Sequence, residues 1–247
     1  WRSTNIKIIQ AAAGGYNSSK KKAIQSGIEI AKGDLIVCTD ADCNPPPPWL
    51  KTIHDFYVGQ NASFIAAPVK FSWKNNLLEA FQATDFMMLQ GITAASVATG
   101  FHSMCNGANL AYKKQSFFEV NGFDGIGKVA TGDDMLLMHK IWKKDANRVF
   151  YLKNRDAIVS TQPMKSWKEF FSQRKRWASK TLVYDDYRII AVLFFIYLFN
   201  FYFFVLIAFA LFHSYYWWHV VAYLILKCLI VLPFFYRLPN FYGELEL

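Results

Sequence analysis

The sequence predicts an α/β domain, a sheet with helices packed on its faces, followed by transmembrane helices. Three observations lead there. The run Leu35-Ile36-Val37-Cys38-Thr39 suits a central strand buried on both faces, and it stops abruptly at two carboxylates, Asp40 and Asp42. Around it, short strand-like runs and helix-period segments succeed one another through residues 1–188. From residue 189 the composition changes to Phe, Tyr, Leu, Ile and Val, which marks a second physical regime in the same chain.

In chain order, Asn5–Gln10 reads as a short strand and Ala11–Ser19 as a loop. Lys20–Ala31 reads as a helix with Ala23, Ile24, Gly27, Ile28 and Ala31 on one face. Three lysines, Lys20 to Lys22, open that helix. Cations disfavour a helix N-terminus unless an anion is near, so the run is either a solvated surface or a contact for nucleotide phosphate. Asp40 and Asp42 fall at the C-terminal end of their strand, where open α/β sheets bind ligands. Two neighbouring acids raise each other's cost of ionisation unless a cation joins them, and a hard divalent metal carrying phosphates is the natural companion. A polar strand end leading into a turn is the plain alternative.

Pro45 to Pro48 predict an extended segment and Trp49–Tyr57 a helix. Ser63–Lys70 reads as a strand, and Leu77–Leu89 as an amphipathic helix with Met87 and Met88 as core filler. Asn106–Tyr112 is a turn entering a strand, placed where it could line a sugar pocket. Ser116–Val120 is a helical turn closed by glycine. Thr131-Gly132-Asp133-Asp134 sets adjacent acids at a helix start, where they serve chemistry or simply cap the helix. Val149–Leu152 and Ala157–Thr161 supply short strands. Lys165–Tyr184 is helical and holds Gln173-Arg174-Lys175-Arg176-Trp177. There Arg176 offers a planar fork for a diphosphate and Trp177 a flat face for a sugar ring, although a basic-aromatic membrane-surface helix explains the stretch equally well.

Ile189 to Phe212 carries no formal charge and is long enough as a helix to cross a hydrocarbon core of about 30 Å. Tyr215–Tyr236 reads as a second span with aromatic residues at both ends, interrupted by Lys227, for which a partner outside this chain is expected. Arg174, Lys175, Arg176, Lys180 and Arg188 precede the first span, and the connection at His213–Ser214 has no Lys or Arg. By the positive-inside rule the large domain is therefore cytosolic. The net charge of +9 suits anionic headgroups or phosphates better than nucleic acid, for which no reader motif is present. The four cysteines have no metal-ligand spacing and read as free thiols. The organisation expected is a domain over 1–164, an amphipathic interface region over 165–188, two spans over 189–236, and a tail over 237–247.

Asp40-Ala41-Asp42, the pair in Thr131-Gly132-Asp133-Asp134, and the Gln-x-x-Arg-Trp of residues 173–177 resemble, in order and spacing, the motifs of the family 2 glycosyltransferases. The branch they resemble is the processive and lipid-linked one that includes cellulose, chitin and hyaluronan synthases. Lesser agreements are the basic helix leading through Lys32-Gly33-Asp34, Gly107-Ala108-Asn109 and Gly122-Phe123-Asp124. The family usually has Glu-Asp where this chain has Asp133-Asp134. Its first strand would lie upstream of Trp1 and its later spans beyond Leu247, so the sequence is expected to be a fragment.

The resemblance implies a GT-A fold with a Rossmann-like mixed sheet, and a single inverting displacement from a UDP- or GDP-sugar onto a lipid-linked or polysaccharide acceptor. It also implies Mg²⁺ or Mn²⁺ on Asp42 and Asp40, with Lys20 and Arg176 on the nucleotide diphosphate. Asp134 would be the base, with Asp133 beside it, and Gln173, Arg176, Trp177, Gly107 and Asn109 would form the acceptor site. Two alternatives stay open: a metal-dependent nucleotidyl or phosphoryl transferase, and an inactive membrane-anchored sugar-nucleotide-binding module.

Overall fold

The computed structural model describes residues 6–9, 19–74, 76–101, 104–127, 132–179 and 187–243. The chain divides into two compact units, residues 1–164 and 165–247.

The first unit is a mixed α/β structure. Helix α1 (Ser19–Ile30) leads into strand β1 (Leu35–Cys38), and α2 (Trp49–Gln60) into β2 (Phe64–Ala66) and β3 (Val69–Phe71). Then follow α3 (Leu77–Ala98), β4 (Leu110–Lys113), α4 (Lys114–Glu119), α5 (Met135–Lys144), β5 (Val149–Tyr151) and β6 (Val159–Thr161). The main sheet has the order β1-β4-β2-β5, antiparallel except for the parallel β2–β5 pair, and β3 pairs with β6 in a separate parallel ribbon.

Strand alternation divides the core. Phe64, Ala66, Leu110 and Tyr112 point to one face, where Ile28 of α1, Phe117 of α4 and Leu137, Met138 and Ile141 of α5 cover them. Ile65 and Ala111 point to the other, against Trp49 and Ile53 of α2. Period-two side chains thus let a four-strand sheet carry helices on both faces. The mixed sheet expected from the sequence is present.

Several local expectations give way. β1 is not central: among the described residues it pairs only with β4 and ends the sheet, half-buried, with Ile36 and Cys38 packed on one core and Leu35 and Val37 on the other. Ile6–Ile9 form no strand, and Ile8 is 95% exposed, because an apolar run without a ladder partner gains nothing from extension. The rest of Asn5–Gln10 and nearly all of the Ala11–Ser19 loop lie outside the described residues. Pro45–Pro48 is not extended throughout: Trp49 N–H donates to the Pro46 carbonyl, and Pro48 adopts helical dihedrals as the cap of α2. Ser63–Lys70 splits into β2 and β3 around Pro68, which has no N–H for a ladder; its carbonyl instead accepts from Val159 N–H and from the Asn109 amide. α3 runs to Ala98, well past Leu89, because buried Gln90, Thr93 and Val97 continue its inward stripe.

In the second unit, α6 (Trp167–Ala178) starts at Ser166, whose side chain accepts from Glu169 N–H. α7 (Tyr187–Phe212) and α8 (Tyr216–Tyr242) are joined by a short turn and pack through Leu206, Ala210, Val220 and Tyr223. Both are long and apolar enough to cross a membrane. The helix of the second predicted span continues through Pro233 and Pro239 to Gly243, taking in most of the expected tail. Within the chain, the Lys227 ammonium donates to Asn200 Oδ1 at 3.0 Å across the α7–α8 interface.

Candidate active site

The end of β1, the start of α1, the turn before β4 and the start of α5 converge on one acidic cluster. Lys20 sits in the first turn of α1, and its Nζ donates to Asp40 Oδ1 at 2.7 Å while lying 3.6 Å from Asp133 Oδ2. One ammonium thus joins the acid at the strand end to the acid that precedes α5. Burial pulls the Lys20 pKa down, but the hydrogen bond to Asp40 and the charges of Asp133, Asp40 and Asp134 outweigh it, and the net value is raised above 10.5. The ammonium stays charged at neutral pH.

Asp133 and Asp134 are adjacent but differently employed. Asp133, whose side chain is 12% exposed, turns toward Lys20. Asp134 is buried and accepts backbone N–H groups on both oxygens: Met135 N at 2.8 Å, which caps α5, and Gly107 N at 3.0 Å. The helix start and the 106–109 turn therefore aim one carboxylate from two sides. Gly107 itself lies against the cluster, with room for ordinary contact only. A β-carbon there would stand 3.4 Å from Lys20 Nζ and 3.5 Å from Asp134 Oδ2.

Asp42 lies on the turn after β1, exposed, with the Cys43 thiol donating to it at 3.8 Å. Among the described residues no three His, Cys, Asp or Glu side chains converge as a ready cation cage. The donor set still fits Mg²⁺ or Mn²⁺, because hard carboxylate oxygens supply one or two ligands to such ions while phosphates and water supply the rest.

Asn109 does not face a ligand. It is fully buried, its Oδ1 accepts from Trp49 Nε1 at 2.9 Å, and its Nδ2 donates to the Pro68 and Ala157 carbonyls at 2.7 Å each. The expected acceptor contact is instead a core amide that ties α2, β3 and the approach to β6 together. A buried amide that spends donors and acceptor in this way is costly to replace.

Gln173, Arg176 and Trp177 belong to α6 of the second unit. The Arg174 guanidinium lies 4.3 Å from the Trp177 ring centroid and 4.8 Å from that of Phe170. One face of Trp177 is thus taken by a cation. Gln173 Oε1 is buried without a hydrogen-bond partner among the described residues, whereas Arg176 is exposed.

Two features escaped the sequence reading. Lys21, next to Lys20, is fully buried and donates to the Ile126 carbonyl at 2.6 Å; nothing in a triple-lysine run distinguishes its members except their angle on the helix. Beneath the cluster, the Cys38 thiol faces the Tyr112 hydroxyl at 3.6 Å, and burial raises the pKa of both groups. All four cysteines are free.

Residues 35–236 match the family described as glycosyl transferase family group 2, and the chain belongs to that family. Among solved structures, glucosyl-3-phosphoglycerate synthase from Mycobacterium tuberculosis in complex with Mn²⁺ and UDP-glucose is similar at 12% identity, over 66% of this chain and 53% of that one, with a TM-score of 0.42. The same enzyme with phosphoglyceric acid matches at 11% identity over 67% and 51%, with a TM-score of 0.37. A mycobacterial protein matches at 15% identity over 67% and 48%, with a TM-score of 0.35. The chain spans about half the length of these proteins. No curated protein matches it.

Proposed function

We propose that the chain is the donor-binding and catalytic part of a membrane-anchored, inverting glycosyltransferase that moves a sugar from a UDP- or GDP-sugar to a lipid-linked or polysaccharide acceptor. The observation that carries this reading is the Lys20 bridge between Asp40 and Asp133, with Asp134 fixed beside it on Gly107. The bridge gathers at one sheet edge the charges that a nucleotide diphosphate requires.

Each residue has a task in a single displacement. The acceptor oxygen attacks the anomeric carbon, the bond from that carbon to the diphosphate oxygen breaks, and the nucleoside diphosphate leaves. Asp134 takes the acceptor proton, a general-base contribution of roughly 10²–10⁴ in rate. Lys20 holds the diphosphate and stabilises its growing charge. Asp40 and Asp42 would hold Mg²⁺ or Mn²⁺, which when bound supplies Lewis-acid neutralisation of the leaving group. Trp177 floors the acceptor with the ring face that Arg174 leaves open. In α7 and α8 the chain carries its own anchor, and the cations before α7 put the catalytic unit on the cytosolic side.

The test uses the full-length protein with a panel of UDP- and GDP-sugars, with and without Mn²⁺. Sugar transfer is expected from at least one donor, and Mn²⁺ should strengthen donor binding in wild type but not in Asp42→Asn. Transfer of the nucleotidyl group in place of the sugar would assign a different reaction. Donor binding without transfer from any donor would make the chain a binding module.

A further inference from the structure

The end of the sheet opposite the acidic cluster holds a cavity of about 250 Å³, lined by Ser63, Lys113, Ser116 and Glu119 and by Lys144, Asp145 and Arg148. Register fixes its place. Cys38 at the acidic end of β1 pairs with Leu110, whereas Lys113 ends β4 beside Phe64 and Val149, so the cavity and the acids lie at opposite ends of the strands.

Its polar groups divide into two kinds. Lys144 pairs with Glu119 at 3.0 Å and Arg148 with Asp145 at 3.2 Å, which neutralises both acids. Lys113 makes no side-chain hydrogen bond or close ion pair among the described residues, although its charge acts on Glu119. Ser63 and Ser116 are each 7% exposed, and their hydroxyls have no hydrogen-bond partner among the described residues. Both hydroxyls stay open to the cavity, where they can donate to a guest. The backbone at Ser63 is already used, since its N–H donates to the Arg148 carbonyl and its own carbonyl accepts from Lys113 N–H. Only the side chains remain to serve a guest.

We propose that this cavity is a second small-ligand site, for a phosphate monoester of a sugar or polyol. Lys113 and the two serine hydroxyls supply the donors that phosphate oxygens need, and Glu119 and Asp145 accept hydrogen bonds from the hydroxyls of the carbon skeleton. The site touches the reaction through one element. α5 begins at Asp134, in the acidic cluster, and ends at Lys144 and Asp145, in the cavity wall, about 15 Å away along the helix.

The experiment titrates full-length protein by calorimetry with inorganic phosphate and with glucose 6-phosphate, in saturating UDP and Mn²⁺ so that the acidic cluster is occupied. Saturable binding is expected for both, tighter for the ester. Lys113→Met should weaken it about tenfold or more, and Ser63→Ala with Ser116→Ala should weaken it further at an unchanged melting temperature. Lys20→Met should leave it alone. Loss of binding in Lys20→Met with wild-type binding in Lys113→Met would place the phosphate in the acidic cluster and overturn the proposal. So would absence of saturable binding. An ester that binds no more tightly than inorganic phosphate would overturn the assignment to a phosphorylated sugar or polyol.

Discussion

Lys20 and Asp40 meet at 2.7 Å across the gap between a helix start and a strand end, and the same ammonium reaches Asp133 at 3.6 Å. A cation shared by two acids serves as their internal counter-ion, and the proposed function also makes it a donor to phosphate. Removing it as Lys20→Met should weaken UDP binding by roughly ten- to a hundredfold, the worth of a hydrogen bond to a charged group, as read by calorimetry. The raised pKa gives the pH dependence its sign. A lysine whose folded value exceeds 10.5 stabilises the fold fully below that pH and loses its contribution as pH climbs through the folded value. The melting-temperature difference between wild type and Lys20→Met should therefore hold steady from pH 7 to 9 and shrink in stronger alkali. A difference that already vanishes by pH 9 would mean that the ion pairs do not form.

Asp134 caps α5, the proposed function adds proton acceptance, and one substitution separates the two. Asparagine keeps an acceptor oxygen for Met135 N–H but cannot take a proton. Its amide nitrogen must then face the Gly107 N–H, which loses its acceptor, so Asp134→Asn should cost about 1–3 kcal/mol of stability, while sugar transfer should fall by 10²-fold or more. Donor binding should survive, because the diphosphate contact proposed for Lys20 is untouched. Wild-type transfer rates in folded Asp134→Asn protein would leave Asp134 as a cap alone.

Gly122 tests the packing behind the site. Its φ is +49°, and a β-carbon there would come within 2.6 Å of the ring of Phe117, a side chain 1% exposed that is closed in by Tyr112 and Phe123. Neither backbone nor ring can yield cheaply. Gly122→Ala should lower stability by about 2–4 kcal/mol through strain and overpacking together, measured by denaturant unfolding. An effect under 0.5 kcal/mol would show that the loop shifts freely.

The acidic cluster was legible because its chemistry is written in residue types: an apolar run that stops at Asp40, acids before a helix at Asp133, and lysines where a helix should repel them. What could not be read was direction. Lys20, Lys21 and Lys22 look alike in sequence, yet the 100° step of the helix sends the first to the acids and the second into the core beside Ile126. Asn109 was expected in the acceptor site through the family resemblance of Gly107-Ala108-Asn109, but its amide is consumed by Trp49, Pro68 and Ala157, contacts drawn from three distant segments. The strand β1 has the composition of a central strand, and composition says nothing of how many neighbours a strand has. The periodicity of α7 and α8 showed length and apolarity, whereas the partner of Lys227 depended on the register between the two helices.

That register yields the last prediction. Lys227 donates to Asn200 Oδ1 at 3.0 Å, the Asn200 amide donates to the Ile196 carbonyl, and one turn away the Tyr223 hydroxyl donates to the Phe199 carbonyl. Asn200 lies near the middle of the 26-residue α7, so in a bilayer this polar knot sits where water cannot replace it. Asn200→Leu would leave the ammonium facing hydrocarbon without an acceptor, and Lys227→Met would leave the Asn200 oxygen unpaired. Replacing both removes the polar pair as a whole, which is usually cheaper than orphaning one member. In lipid bicelles each single variant should therefore destabilise the α7–α8 hairpin by about 0.5–2 kcal/mol. The double variant should cost less than the sum, and less than Asn200→Leu alone. Steric trapping or forced unfolding of the hairpin reads all four corners of this cycle. Additive costs would mean that the two side chains are solvated separately, which α7 and α8 buried in a membrane would not permit.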